Sequence, residues 1–344
     1  MKFRNHILVL VVLLLTMAAL PVFADDKANL TTSDSGQAFQ TLERIETIVF
    51  GAPQGGGLVN RLANAEKEVF GRELPGSLTE RQTAMLDFLE KGTTTQPSLL
   101  FKLAVTEWGV SREVHPSWAM SRRVDTLEAV LDGSVQGGPL AARIEKLITK
   151  LLPEGVLSTP AALPKTTVVK CALAQTLTVR SVKVNDKVVL NLAEEIIVGG
   201  SLFAPRGSRV FAHITKVKPP RSFGRASEID MAFDALEVLG PSSVAVGVGQ
   251  AAKKAMELDS AAIGAAGASF AGAVLLGPVG LAGGFLVRGS DKQLKQGTLF
   301  YVETTDDANV QSYKVPSQIS SLVTSGDASS PQGSQPLNGQ PVVQ

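Results

Sequence analysis

Three stretches of this chain repeat one pattern, and that pattern restricts its fold more than any other feature. "GAPQGGGLVNR" from Gly51, "GRELPGSLTER" from Gly71 and "GSVQGGPLAAR" from Gly133 all read G-x4-G-x-L-x-x-R, and each has a glutamate five residues ahead, at Glu46, Glu66 and Glu128. A glycine that closes a run of apolar periodicity marks a helix end, where positive φ costs little, and the second glycine tightens the turn before the next helix. In the second copy, Ser77 and Glu80 have the spacing of a capping box. Leu58, Leu62, Ala65 and Val69, and later Leu140, Ile144, Leu147, Ile148 and Leu151, line single helical faces. Helices this short are marginal alone in water, so residues 41–152 are expected to form a helical repeat module whose apolar stripes bury one another. The intervening "PSLLFKLAVTEWGVSREVHPSWAMSRR" keeps helical periodicity without the turn signature.

Arg61, Arg81 and Arg143 recur with the glutamates. They either pair with those carboxylates or cap neighbouring carbonyls, or else they form a row of cations for an anionic partner. His115 is expected in a loop or on the surface, with Trp108 and Trp118 packed nearby.

At the N-terminus, Lys2 and Arg4 precede an uncharged apolar run from Ile7 to Leu20 and then Val22-Phe23-Ala24. This is the pattern of a cleavable export signal over residues 1–24, and the run is short for a membrane span. Polar residues 25–40 follow as a predicted flexible leader. The chain has 33 basic and 32 acidic residues, so no basic excess argues for a nucleic-acid partner. Cys171 is the only cysteine, which excludes an intramolecular disulfide, and its setting in "VVKCALAQ" predicts a buried thiol.

"LLPEGVLSTPAALPK", with three prolines, predicts a linker over residues 153–165. From Thr166 the chain is dense in Val, Ile, Thr and Phe, and turns at Asn185-Asp186, Gly199-Gly200, Pro205-Arg206-Gly207, Pro219-Pro220 and Gly240-Pro241 divide it into short strands. An antiparallel barrel or sandwich over 166–307 is expected, which makes the chain α+β. Within it lies "AAIGAAGASFAGAVLLGPVGLAGGFLV", from Ala261 to Val287, without a charge. Gly264, Ala268 and Gly272, and then Gly280 and Gly284, fall four apart, which stacks small residues on one helical side as in closely packed helix pairs. Gly277-Pro278 interrupts it, so a helical hairpin over 260–287 is predicted, contacting the outer membrane or neighbouring subunits through those five positions. The alternative is a soluble periplasmic binding module in which the hairpin is internal core. The Ser-, Gln-, Pro- and Gly-rich tail, 308–344, is expected to be disordered.

"VKCALAQTLTVRSVKVNDKVVLNLAEEIIVGGSLFAPRGSRVFAHI", "FGRASEIDMAFDALEV", the small-residue run and "QLKQGTLFYVETTDD" follow one another in an order that resembles the β-barrel domain of conjugation and type IV secretion core proteins. The closest local likenesses are "LFAPRGSRVFAHI" and "QGTLFYVETTDD". The resemblance implies a modified barrel carrying a helical hairpin, with copies assembled into an outer-membrane ring. That family usually has a cytoplasmic tail, an inner-membrane helix and a proline-rich stretch, where this chain has an export signal and a helical repeat.

No residue set names a reaction. "GVGQAA", Gly247 to Ala252, fits a loose dinucleotide fingerprint without the strand-helix-strand context or the distant acidic residue, and reads as the way into the hairpin. His213 sits in a predicted strand, and the adjacent pairs Glu194-Glu195 and Asp306-Asp307 would point to opposite faces. No catalytic, cofactor-binding or metal-binding residues are expected. Lys216, Lys218, Arg221 and Arg225 around Pro219-Pro220 either touch anionic lipid or form a solvated loop. The sequence thus predicts an exported bacterial protein of the periplasm or outer membrane, a structural or assembly component and a possible homo-oligomer.

Overall fold

The computed structural model describes residues 25–218, 228–265 and 293–316. The helical part comprises α1 (Asp25–Phe50), α2 (Leu58–Phe70), α3 (Leu78–Leu86), a π-helical turn at Asp87–Lys91, α4 (Leu99–Ser111), α5 (Met120–Asp132) and α6 (Leu140–Leu151). The three repeats are the α1–α2, α2–α3 and α5–α6 corners. Their first glycines, Gly51, Gly71 and Gly133, have φ of 86°, 76° and 73°, as helix ends of this type require.

The conserved spacing within the repeat has a chemical purpose. Arg61 donates Nε and Nη2 to Glu46 at 2.9 and 2.6 Å, Arg81 to Glu66 at 2.9 and 2.5 Å, and Arg143 to Glu128 at 3.0 and 2.6 Å. Each carboxylate also accepts a backbone N–H from the turn it spans, that of Gln54, Leu74 or Gln136. Every corner is therefore tied by one buried ion pair whose glutamate also satisfies a loop amide. The pairing reading of the three arginines holds.

A fourth corner lacks the sequence signature and keeps the chemistry. Between α4 and α5, Arg123 donates to Glu107 at 2.9 and 2.6 Å, and Arg112 occupies the glycine position with φ of 58°. One extra residue separates its glutamate from its arginine. Residues 97–123, periodic without the turn signature, thus contain a divergent repeat. Leu42, Leu62, Val69, Met85, Phe101, Trp108, Val124 and Ile144 all belong to one core inside this array.

The strands are β1 (Thr159–Leu163), β2 (Val168–Leu173), β3 (Leu177–Thr178), β4 (Lys187–Leu192), β5 (Ile196–Val198), β6 (Ser201–Ala204), β7 (Arg209–Lys218), β8 (Glu228–Glu237), β9 (Ser243–Gly247), β10 (Gln293–Leu294), β11 (Leu299–Thr304) and β12 (Ala308–Lys314), with α7 (Gln250–Ala265) between β9 and β10. A closed antiparallel barrel runs β11-β2-β4-β7-β8-β9 and returns to β11. Alternate residues point inward and fill it: Val169, Cys171 and Leu173, Val188, Leu190 and Leu192, Val210, Ala212 and Ile214, Phe300 and Val302 are all buried. The barrel is a packed core, not a channel.

A second sheet, β1-β12-β6-β5, lies between the barrel and the helices. Leu163, Ile196, Phe203 and Val310 join the barrel core, whereas Leu202, Tyr313 and Val315 join the helical core. Three expectations are corrected here. Residues 153–165 are not simply a linker, because β1 pairs with β12 (Thr159↔Ser312 to Leu163↔Ala308), and Pro160 is tolerated because β1 is an edge strand. The tail expected to be disordered from 308 begins with β12. The leader at 25–40 is the start of α1, since a polar segment can extend a helix already nucleated by packing at Leu42, Ile45 and Val49.

The divergent corner forms the seam. Arg112 stacks over Trp108 at 4.1 Å, and both donate to Glu195, Trp108 through its indole N–H at 2.5 Å. Val114 N–H donates to the Arg206 carbonyl at 2.8 Å, and Arg206 pairs with Glu113 at 2.7 Å. Gly207 lies so close to the Val114 carbonyl that a Cβ there would collide with it.

Candidate functional site

The small-residue run was the strongest functional expectation, and the structure describes the element that leads into it. β9 ends at Gly247, and α7 starts at Gln250, ten residues before the expected start of the first hairpin arm. The early start is the charged stretch holding Lys253, Lys254, Glu257 and Asp259, which docks on the barrel instead of belonging to the apolar run.

α7 lies on the outer wall formed by β2 and β11. In β11 the inward residues are Phe300 and Val302, so Leu299, Tyr301 and Glu303 face outward beneath the helix. Lys170 of β2 is the cross-strand neighbour of Tyr301 and faces outward between the buried Val169 and Cys171. Lys170 Nζ reaches Asp259 Oδ2 at 2.7 Å and Glu194 Oε1 at 2.6 Å, and the Tyr301 hydroxyl donates to Asp259 Oδ2 at 2.7 Å. At the start of the helix, Ala252 N–H donates to Glu303 Oε2 at 2.8 Å, and Gly249 leaves the space that the Glu303 carboxylate occupies. Ala252, Met256 and Tyr301 form a small apolar cluster beneath.

The electrostatics follow from this geometry. Burial works to raise the Asp259 pKa, but hydrogen bonds from Lys170 and Tyr301 and the Lys170 charge outweigh it and leave the carboxyl below its ordinary range. Burial works to lower that of Lys170, and its hydrogen bonds to Asp259 and Glu194 more than reverse this. The Tyr301 phenol is pushed up to about 12, first by burial and then by its bond to Asp259.

Of the five expected contact positions, Gly264 lies in the last turn of α7, whereas Ala268, Gly272, Gly280 and Gly284 lie outside the described residues. Lys216 and Lys218 are at the end of β7, with Lys216 Nζ 3.4 Å from Asp230 Oδ2 on β8. Arg221 and Arg225 lie outside the described residues.

Other singled-out residues are accounted for locally. Cys171 points into the barrel, where its Sγ–H approaches the Phe300 carbonyl at 3.7 Å and burial pushes the thiol far up, so the thiolate needed for reactivity is disfavoured. His213 Nδ1 lies 2.8 Å from Asp234 Oδ1 on the outer wall. His115 stacks on Trp118 at 4.0 Å, and Arg122 also lies over that ring. Glu194 and Glu195 diverge as expected, to Lys170 and to the seam. "GVGQAA" does join a strand to a helix, but Glu303 fills the anion-accepting end of that helix. An open polar cleft of about 470 Å³ lies beside the first repeat turn, lined by Phe50, Gln54, Arg61, Asn64 and Lys67, with Arg61 already committed to Glu46. Among the described residues, no group of three or more His, Cys, Asp or Glu could hold a metal ion, and no helix is long and apolar enough to cross a membrane.

Sequence reasoning missed Lys170, Tyr301, Glu303 and Asp259 as a group. The available signals were a lysine on the polar side of an alternating strand and a glycine just ahead of a helix, and neither identifies a distant partner. No protein-family model matches this chain, and no curated protein matches it.

Proposed function

We propose that this chain is an exported envelope assembly component, not an enzyme, in which helices and barrel form one scaffold and the small-residue run contacts the outer membrane or neighbouring copies. The observation that carries this reading is where the run is inserted. α7 leads into it from the outer wall of a closed barrel whose interior is already filled by its own strands. A charge-free run entered from the outer wall is apolar by sequence, and monomeric soluble proteins rarely leave an apolar surface of that size in water. Lipid or a sister copy removes it from water, with Gly264, Ala268, Gly272, Gly280 and Gly284 at close helix contacts. The likeness to ring-forming secretion barrels supports the same reading, with the periplasm or outer membrane as its place.

Two experiments test it. Gly272→Leu should reduce membrane association or shift the assembly to smaller size in detergent-free fractionation and light scattering, and unchanged fractionation and size would count against assembly through this run. Replacing residues 266–292 by a short Gly-Ser bridge should leave a folded, soluble monomer. A deletion protein that fails to fold would instead support the run as internal core of a binding module.

A further inference from the structure

Among the described elements, α7 is held differently from the helices of the repeat array. α1, α2, α4, α5 and α6 bury apolar stripes in the helical core, whereas α7 buries Ala252 and Met256, with Ala255 packed beside them, in a cluster separate from the barrel core. The wall beneath it is complete without it, since β2 and β11 bond to each other and to β4 and β9. Beside that small cluster, polar contacts hold the helix at two places. Glu303 grips the first turn through the Ala252 amide, and Lys170 with Tyr301 grips Asp259 two turns later. Residues 252 and 259 share one helical face, so the two grips act along one line.

We propose that these groups form a latch and that α7 is a releasable strut, held on the barrel wall by charge and hydrogen bonding and able to leave it as a unit while the barrel stays closed. The purpose of release rests on the assembly reading: a freed strut repositions the run it leads into against lipid or a sister copy. The holding itself does not depend on that reading. The groups facing the latch are Lys170 of β2, Tyr301 and Glu303 of β11, and Glu194 from the β4–β5 turn. Asp259 is held below the ordinary carboxylate range, so the latch is closed at neutral pH and opens as acid protonates that carboxylate.

Hydrogen exchange of the full-length chain tests this residue by residue. In Asp259→Ala, the amides from Lys253 to Ser260 should exchange roughly tenfold or more faster, with β2, β4 and β7 unchanged. Alanine is the better helix former, so faster exchange cannot come from a weaker helix. Lys170→Met should give the same pattern from the other side of the latch. Unchanged α7 protection in Asp259→Ala, or barrel strands that lose protection together with α7, would overturn the proposal. Fractionation of the same variant reports separately on assembly, so failure of the latch and failure of the assembly reading give different results.

Discussion

Arg81 and Glu66 meet where almost no water reaches, with the arginine side chain 10% exposed and the carboxylate fully buried. Two fully hydrogen-bonded charges can be held in such a place, but either one alone cannot be solvated there. Arg81→Ala should therefore cost about 3 kcal/mol or more, read from urea unfolding followed by circular dichroism. Replacing the pair together, Glu66→Leu with Arg81→Met, should recover most of that loss. A cost for Arg81→Ala no larger than that of breaking the exposed Lys91–Asp87 pair would show that the corners are not held by their ion pairs. The same clamps make stability depend on acid. Glu128 is held below its ordinary pKa first by its hydrogen bonds from Arg143, and Glu46 likewise because its bonds from Arg61 and the Gln54 amide outweigh burial. A depressed folded pKa contributes stability that is complete above the unfolded value of about 4.3 and disappears as pH falls through the folded value. Melting temperature should accordingly fall steeply below about pH 4, and Glu128→Gln should flatten that acid limb while lowering stability at neutral pH. An acid limb unaffected by Glu128→Gln would remove Glu128 from the account.

At the level of elements, the divergent corner between α4 and α5 explains its own divergence. The other three turns keep glycine at a left-handed backbone, and two of them make close contacts inside the helical array, Gly51 against Ala119 and Gly71 against Pro139. This turn must also place Arg112 on Glu195 and present the Val114 amide to Arg206, so it keeps the left-handed backbone and the Glu107–Arg123 pair but not the glycine. Gly207 is the receiving side, at φ of 89° with no room for a Cβ against the Val114 carbonyl. Gly207→Val should destabilise the chain by about 2–4 kcal/mol and expose the Val114 amide to exchange, whereas a change within about 0.5 kcal/mol would mean the seam does not need that close approach. These elements also mark what a sequence can disclose. Three corners were legible because glutamate, glycines, leucine and arginine lie within 16 residues of one another. The fourth was hidden because different residues meet the same backbone and charge requirements. The barrel was legible from its strands and turns, and the turns at Asn185, Gly199, Gly207 and Gly240 all show positive φ. β1 and β12 were not, because a proline-bearing edge strand and a polar strand acquire their identity only from pairing with each other across the domain. The latch was invisible for the same reason: Lys170 and Asp259 lie 89 residues apart, and nothing local announces that they meet.

The whole molecule is tied together by the β1-β12-β6-β5 sheet, whose two faces belong to different cores. Leu202 and Phe203 are adjacent in β6, yet one packs among the helices and the other in the barrel. Tyr313 packs edge-on against Trp108 across the same boundary, with ring centroids 6.2 Å apart. Neither half can unfold without exposing apolar surface of the other, so the chain should unfold in a single calorimetric transition whose van't Hoff and calorimetric enthalpies agree. The final strand closes this unit: β12 carries Tyr313 into the helical core and Val310 into the barrel core, although it lies about 150 residues after β1, its pairing partner. Tyr313→Ala should then lower the one transition as a whole, by about 3–5 kcal/mol as for a buried aromatic truncated to alanine. Two separated transitions in the unmodified chain, or a Tyr313→Ala variant that moves only the helical signal and leaves the barrel signal in place, would show two independent bodies. In that case, the orientation of the helical array could not be transmitted to the barrel wall on which α7 rests.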